Sequence, residues 1–440
     1  MVSPKSAVHA ARRRRLLDHV GPTGAVIVPA AAVHIRNNDV EHSYRQDSDF
    51  FYLTGFDEPH AVLVLSHAHP EQQSVLFVQP RDPSREVWDG PRLGAEGVVS
   101  ELGVDAGFDI AELAEKLPGF LEGVDTVHYA VGSGHPFDAQ LFAAVGAARQ
   151  RARRSGKLFP TTFVDPLHGI HEMRLFKDEA ELDAMRRAAA VTADAHQRAM
   201  VVARPGMHEF EVQAAMDHIF RLGGCERTAY DSIVGSGPNA TILHYRANRR
   251  KMEAGDLLLI DAGCELDYYA SDVTRTFPVG GRFTEPQKIL YEICLASQET
   301  AIAATKPGAT LDDVHEAAAS VIAAGLIEHG LIEGPLDEAM KEQRYKTFFM
   351  HKTSHWIGMD VHDVGAYFAD GAPRPLEPGM VLTIEPGIYV AENAEVDERW
   401  RGIGIRIEDD ILVTADGHEN LTAAVPKTVA DVEALTTSGA

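Results

Sequence analysis

Four acidic residues placed on apolar strands constrain the fold of this 440-residue chain more than any other feature. They are Asp261, after the apolar run 257–260, Asp272, at the start of 273–279, Glu385, after 381–384, and Glu408, within 405–413. A carboxylate among apolar strand residues costs free energy unless something compensates it. A hairpin between 257–261 and 273–279 would bring the first two carboxylates to one face of one sheet.

Taken singly, each of these residues has an ordinary structural explanation as a turn residue, a helix cap or a salt-bridge partner. Together they would place about four negative charges in one buried location, which is untenable without cations. Two divalent ions would balance them, and His355, in the histidine-rich segment 351–362, would add a neutral imidazole. Oxygen-rich ligands with one imidazole suit Mn²⁺ or Co²⁺ best, with Zn²⁺ and Fe²⁺ as alternatives. The pattern therefore predicts a dinuclear metal site.

Charge and cysteine content narrow the class of protein. Lys and Arg number 41 against 65 Asp and Glu, so the formal net charge is −24. Such a charge argues against nucleic acid and anionic membrane surfaces as partners. The three cysteines form no CxxC pair, which favours reduced thiols in a cytoplasmic protein. Because no apolar run approaches the ~18 residues of a membrane span, we expect no membrane partner either.

Two domains are expected, 1–172 and 173–440, with a boundary at the basic and proline-containing stretch near residue 170. The first alternates strands (25–29, 61–65, 74–78) with helices (109–117, 136–148), which predicts a mixed α/β domain. The second has helical patterns at 178–203, 209–222, 286–304 and 312–329, separated by the strands described above. The predicted class is α+β, with antiparallel strands that carry the chemistry.

Five segments of the second domain resemble the pita-bread metallopeptidases, the fold family of methionine aminopeptidase, prolidase and Xaa-Pro aminopeptidase. These segments are 259–263, 271–276, 351–365, 383–387 and 404–409. The resemblance implies that the metal ligands are Asp261, Asp272, His355, Glu385 and Glu408. It also implies that a bridging water or hydroxide is the nucleophile and that Asp272 and Glu408 span both metals. Asp261 would serve one metal, and His355 with Glu385 the other.

The segment 44–56 is similar to the N-terminal domain of bacterial Xaa-Pro aminopeptidases, and 354–365 looks more like that branch than like prolidase. The expected activity is therefore metal-dependent release of the N-terminal residue from peptides with proline in second position. A prolidase restricted to Xaa-Pro dipeptides is the alternative, and a non-catalytic binding protein is a weaker one. The first domain is expected to serve oligomerisation and substrate access.

The same resemblance suggests roles for residues around the metals. Glu385 would move the proton from the nucleophile to the leaving nitrogen, while His244, His351 and His362 match active-site histidines of the family. Arg406 would brace the carboxylates, unless it forms a purely structural ion pair.

Three aromatic residues have two explanations each. Tyr389 and Trp356 are candidates for the substrate pocket or for core packing. Trp88 resembles a first-domain tryptophan that, in tetrameric relatives, reaches the active site of a neighbouring subunit. The alternative is that Trp88 is buried in its own domain. The resemblance implies a homodimer or homotetramer.

Overall fold

The computed structural model describes residues 4–438, and the chain divides into two compact units between Met173 and Arg174. Within the described residues, no helix is both long enough and apolar enough to cross a bilayer.

The N-terminal unit is a mixed α/β fold, as predicted. Its helices are α1 (Pro4–Val20), α2 (Ser48–Thr54), α3 (Pro83–Asp89), α4 (Gly94–Leu102), α5 (Leu113–Phe120), α6 (Asp138–Ser155) and α7 (Leu167–Leu175), the last of which spans the division. Its strands are β1 (Gly24–Pro29), β2 (Ile35–Asn37), β3 (Val40–Glu41), β4 (Val62–Ser66), β5 (Ser74–Val78), β6 (Ala106–Asp109), β7 (Thr126–His128) and β8 (Thr162–Val164). Six of them form a sheet in the order β6-β5-β4-β1-β7-β8, with parallel and antiparallel pairs.

The helices of the C-terminal unit include the four predicted ones, each within one residue of its predicted ends, and two that were not predicted. They are α8 (Glu179–Val202), α9 (Glu209–Leu222), α10 (Glu285–Ala304), α11 (Leu311–Glu328), α12 (Leu336–Lys341) and α13 (Val429–Ser438). Asp178 caps α8, because its side chain accepts from the amides of Ala180 and Glu181 while Glu181 accepts the amide of Asp178. The buried faces of α8, α9 and α10 pack on the strands in one apolar core.

The strands of this unit form several small antiparallel sheets. They are β9 (Arg227–Thr228), β10 (Ile233–Ser236), β11 (Leu257–Asp261), β12 (Cys264–Leu266), β13 (Tyr269–Ala270), β14 (Thr274–Pro278), β15 (Phe368–Ala369), β16 (Ala372–Pro373), β17 (Val381–Ile384), β18 (Gly387–Val390), β19 (Ile403–Arg406), β20 (Asp409–Thr414) and β21 (Gly417–Asn420). The expected pairing of β11 with β14 is confirmed, and it sets Asp261 opposite Thr274. Asp272 lies two residues before Thr274, so both carboxylates reach the same end of the sheet.

Three of the predicted elements are wrong in extent, and one of them is the helix predicted at 136–148, which is α6 and continues to Ser155. The run 405–413 is not one strand, because β19 pairs with β18 while β20 pairs with β17 and β21. Ile407 and Glu408 form the bend between the two sheets, which apolar patterning alone does not reveal. The helix predicted at 109–117 begins later, since 106–109 is strand β6 and a 3₁₀ turn precedes α5.

Gly263 permits the chain to turn closely between the two aspartates. A Cβ atom at this position would lie 1.7 Å from the backbone oxygen of Ser271. Beside it, the amide of Ala262 donates to the carbonyl of Val273 at 3.1 Å. Any side chain at position 263 must therefore separate the segments that carry Asp261 and Asp272.

We expect Gly263→Ala to lower the free energy of unfolding by about 2 kcal/mol, since the clash is with backbone that cannot move aside. The change should appear as a lower midpoint in denaturant unfolding followed by circular dichroism. Gly281→Ala is the matched control, because nothing lies within 4 Å of its Cβ position. Equal midpoints for the two variants would contradict the expectation.

Candidate metal and catalytic site

A cavity of about 570 Å³ opens into the C-terminal unit where the strand ends meet. Nine residues named from the sequence line it: Asp261, Asp272, His355, Glu385, Glu408, His244, His351, His362 and Arg406. The structure therefore brings together the five expected metal ligands and four further candidates.

Hydrogen bonds around the start of β14 position Asp272 and Glu408. The amide of Asp272 donates to Asp410 Oδ2 at 3.0 Å, and the amide of Glu408 donates to the carbonyl of Thr274 at 3.1 Å. The Thr274 hydroxyl also donates to Glu408 Oε2 at 2.6 Å. The bend at Glu408 thus packs against the strand that follows Asp272.

His355 is held beside β17 with one ring nitrogen directed at the carboxylates. The amide of Thr383 donates to the carbonyl of His355 at 2.9 Å. The ring atom Nδ1 lies 3.0 Å from the carbonyl oxygen of Trp356, which can only accept, so Nδ1 carries the proton. Nε2 then faces Asp272 at 3.5 Å and Glu385 at 3.6 Å, and it is the ring nitrogen that would bind a metal in place of a proton.

These donors fit a divalent cation. Ligand atoms of Asp272, His355 and Glu408 all lie within 4.8 Å of one another. Burial, with mutual repulsion, raises the pKa of Glu408 well above its ordinary value and that of Glu385 to about 7. Burial opposes protonation of His355, but the contacts with Asp272 and Glu385 raise its pKa to about 9. Carboxylates that resist ionising together are stabilised by positive charge, which a metal supplies.

Tyr230 connects two of the acidic residues and was not indicated by the sequence. Its hydroxyl lies 2.6 Å from Asp261 Oδ1 and 2.5 Å from Asp272 Oδ1. Burial and the neighbouring carboxylates raise the pKa of this phenol, which keeps it a donor. Since the contacts span 31 and 42 residues, no local pattern could have revealed them.

Arg406 joins the acidic cluster to His351 through a phenol. The guanidinium donates to Asp261 Oδ2 at 2.6 Å and to the Tyr389 hydroxyl at 2.8 Å. His351 Nδ1 contacts the carbonyl of Lys352 at 2.8 Å, so its Nε2 is the acceptor for the Tyr389 hydroxyl at 2.9 Å. Burial, then the charge of Arg406, lowers the pKa of His351 to about 4. The ring is therefore neutral at pH 7.

The remaining candidates occupy different surroundings. His362 packs edge-on against His355 with ring centroids 4.4 Å apart, and His244 is an exposed cavity residue in a turn.

Tyr389 is buried in the apolar packing behind the cavity, where it meets Arg406 and His351. Trp356 is fully buried in a second apolar cluster. Trp88, in the N-terminal unit, is 83% exposed on α3.

A buried ion-pair cluster holds the loop that carries His362. Asp363 accepts from Lys177 Nζ at 2.9 Å and from Arg174 at 2.5 Å, and all three side chains are at most 2% exposed. Arg174 also contacts Asp360 at 2.8 Å. The two cations lower the pKa of Asp363 despite its burial. Local sequence patterns did not reveal this cluster, because Lys177 and Arg174 lie 186 and 189 residues from Asp363 along the chain.

Two known families match the chain, and each match lies within one of the two compact units. Residues 183–415 match the model of metallopeptidase family M24, and residues 9–129 match the N-terminal domain of aminopeptidase P. The cavity residues from Tyr230 to Glu408 all lie within the first match.

Individual relatives match almost from end to end. The Xaa-Pro aminopeptidase of Escherichia coli is 45% identical, over 96% of both chains, and that of Haemophilus influenzae is 41% identical, again over 96% of both. The solved structure of the Pseudomonas aeruginosa aminopeptidase PepP is 48% identical, with a TM-score of 0.97 over 100% of this chain and 99% of that one. A zinc-substituted E. coli aminopeptidase P bound to product gives a TM-score of 0.95 at 44% identity, over 99% of both chains.

We expect Asp363→Asn to destabilise the C-terminal unit by about 3 kcal/mol at pH 7, since it leaves buried cations uncompensated. Because the folded pKa of Asp363 is depressed, its contribution is complete above the unfolded value of 3.8 and is lost as the pH falls through the lower folded value. The difference in melting temperature between wild type and variant should therefore be constant near neutrality and narrow below about pH 4.

Asp360→Asn is the matched control, because the Asp360 side chain is 36% exposed and contacts the same Arg174. Its effect should be much smaller, and equal melting temperatures for the two variants would contradict the assigned importance of Asp363.

Proposed function

The chain belongs to metallopeptidase family M24 and is an Xaa-Pro aminopeptidase, which releases the N-terminal residue before proline, and we propose how its own residues perform this hydrolysis. The observation that carries the proposal is the convergence of Asp261, Asp272, Glu385 and Glu408 with His355 in one buried cavity. These five side chains would hold two divalent ions. When bound, the ions would lower the pKa of a water and polarise the scissile carbonyl.

Glu385 is the proposed proton carrier. The attacking water must lose a proton, and the proline nitrogen must gain one as the C–N bond breaks. Glu385 lies beside His355 Nε2, at the point of the cavity where the ligands converge. It would take the proton from the water and deliver it to the leaving nitrogen.

The histidines are proposed to bind and orient the substrate. His244 and His362 line the cavity and can donate to carbonyl oxygens of the peptide, including the oxyanion that forms on attack. His351 stays neutral, and the hydroxyl of Tyr389 fixes its orientation. Arg406 donates to Tyr389 and also holds Asp261 in place. Tyr389 thus acts on the substrate through its two neighbours.

Manganese is the proposed native metal, with Co²⁺ or Zn²⁺ as alternatives. Four carboxylates with a single imidazole form an oxygen-rich set, which Mn²⁺ accepts well. We also propose a cytoplasmic location for the protein, since all three cysteines are buried free thiols.

His355→Ala should lose metal and reduce alanine release from Ala-Pro-Ala by more than about a hundredfold, because even an outer-shell partner can contribute that much. The measurements are elemental analysis of protein purified without added metal, and kinetics of alanine release. Asp261→Ala should behave in the same way, with an unchanged circular dichroism spectrum.

His218→Ala is the control, because His218 is exposed on α9. Wild-type protein is expected to contain about two equivalents of metal, mainly manganese. Full activity after chelation would contradict the mechanism, and an excess of zinc or cobalt would contradict the metal assignment.

The N-terminal unit is proposed to serve oligomerisation and access of substrate, as a homodimer or homotetramer. Support comes from α3, on which Trp88 and Val87 are 83% and 82% exposed and no residue is buried. Exposed tryptophan is enriched in protein interfaces.

Trp88→Ala should weaken assembly, because it removes the largest exposed apolar side chain of α3. Light scattering after size-exclusion chromatography would then show a smaller particle than for wild type. Phe142→Ala, at another exposed aromatic of the same unit, should leave the mass unchanged. A monomeric wild type, or an unaltered mass for the Trp88 variant, would contradict this role.

A further inference from the structure

A second cavity of about 290 Å³ lies beside the catalytic one and shares part of its wall. The shared residues are Lys352, Ser354 and Tyr367. The others are Leu311, Asp312, His315, Thr353, Phe368 and Pro373. None of the sequence-predicted site residues belongs to this set.

The shared wall lies at the mouth of the catalytic cavity. Asp272 and Glu408, at the closed end, are 5% and 2% exposed, whereas Tyr367 is 42% exposed. Under the proposed function, the scissile bond before proline lies at the closed end, where the metal ligands converge. The chain that follows proline must then leave past the rim, where the second cavity begins.

His315 lines the second cavity, and both of its ring nitrogens have hydrogen-bond partners. His315 Nδ1 bonds the Thr353 hydroxyl at 2.7 Å, and Nε2 meets the Tyr345 hydroxyl at 3.3 Å. Burial, then the charge of Lys352, lowers the pKa of His315 to about 4. The imidazole is therefore neutral at pH 7, and a ligand needs no charge to match it.

The walls are partly apolar and partly open to solvent. Leu311 and Pro373 form part of them, and Phe368, 62% exposed, extends the rim. Lys352 and Asp312 also line the cavity, but their charges pair with each other at 3.0 Å. Phe368 stands on the β15–β16 hairpin, whose tip residues Asp370 and Gly371 have φ angles of 51° and 80°. This pair suits a tight two-residue turn, which fixes the hairpin beside the cavity.

An unsatisfied hydroxyl marks the junction of the two cavities. Ser354 Oγ is inaccessible to solvent and has no hydrogen-bond partner within residues 4–438. A buried hydroxyl without a partner is costly.

We propose that the second cavity binds an apolar side chain at the third position of the substrate, directly after proline, so that this enzyme prefers Xaa-Pro peptides with leucine or a similar residue next. The inference rests on the proposed function of the catalytic cavity. A polar cavity of about 470 Å³ shares Asp231 and Arg246 with the opposite rim, and it would favour a charged third residue instead.

The experiment measures kcat/KM for release of alanine from Ala-Pro-Ala, Ala-Pro-Leu and Ala-Pro-Asp by the full-length metal-loaded enzyme. Wild type should prefer leucine over alanine at the third position by about tenfold, the size of a few methylenes in an apolar pocket. Leu311→Trp, which fills the cavity, should reduce this ratio to about twofold or less. Phe368→Ala, which removes an exposed part of the wall, should also reduce the ratio of leucine to alanine substrates. This variant tests the inference if Leu311→Trp folds poorly.

Phe210→Ala is the matched control, because Phe210 is 49% exposed on α9 and lines neither cavity. It should keep the wild-type ratio. A wild-type ratio near one, a ratio unchanged in both cavity variants, or a preference for aspartate would overturn the inference while leaving the hydrolysis itself intact. No alanine release from any tripeptide would overturn the proposed function and this inference together.

Discussion

Repulsion among buried carboxylates is the constraint on which the catalytic unit depends. Asp261, Asp272, Glu385 and Glu408 approach one another only because separate segments supply compensating groups. Arg406 donates to Asp261, Tyr230 donates to Asp261 and Asp272, and His355, whose pKa is raised to about 9, lies beside Asp272 and Glu385. Each contact offsets part of the electrostatic cost, and divalent cations would offset the rest. The packing of strands from both halves of the unit follows from this requirement.

Further ion pairs, one layer deeper, fix the segments that carry the ligands. Arg275, fully buried, donates to Asp409 at 2.7 Å and to the carbonyl of Glu408, and Lys427 reaches the same Asp409. Their charges lower the pKa of Asp409 despite its burial. Asp363 with Lys177 and Arg174 does the same for the loop of His362. Ionic contacts of this kind are directional, so they define backbone position better than apolar packing alone.

The sequence was informative where local patterns determine structure. The amphipathic pattern that begins at residue 178 predicted the start of α8, and apolar runs ending in Asp261 and Glu385 predicted strand ends with costly carboxylates. It was uninformative where distant segments decide the outcome. The bend at Glu408 interrupts a continuous apolar run because its two ends pair with different strands. Tyr230 and Asp363 act through partners far along the chain, and the cavity beside the catalytic one depends on how a hairpin packs.

The raised pKa values of Glu385 and Glu408 have a consequence for how this protein acquires its metal. Carboxyl groups that retain protons in the absence of cations must release them when ions bind, so loading is an exchange of protons for metal. Apparent metal affinity then rises with pH, and an acidic environment would favour the empty, protonated cluster.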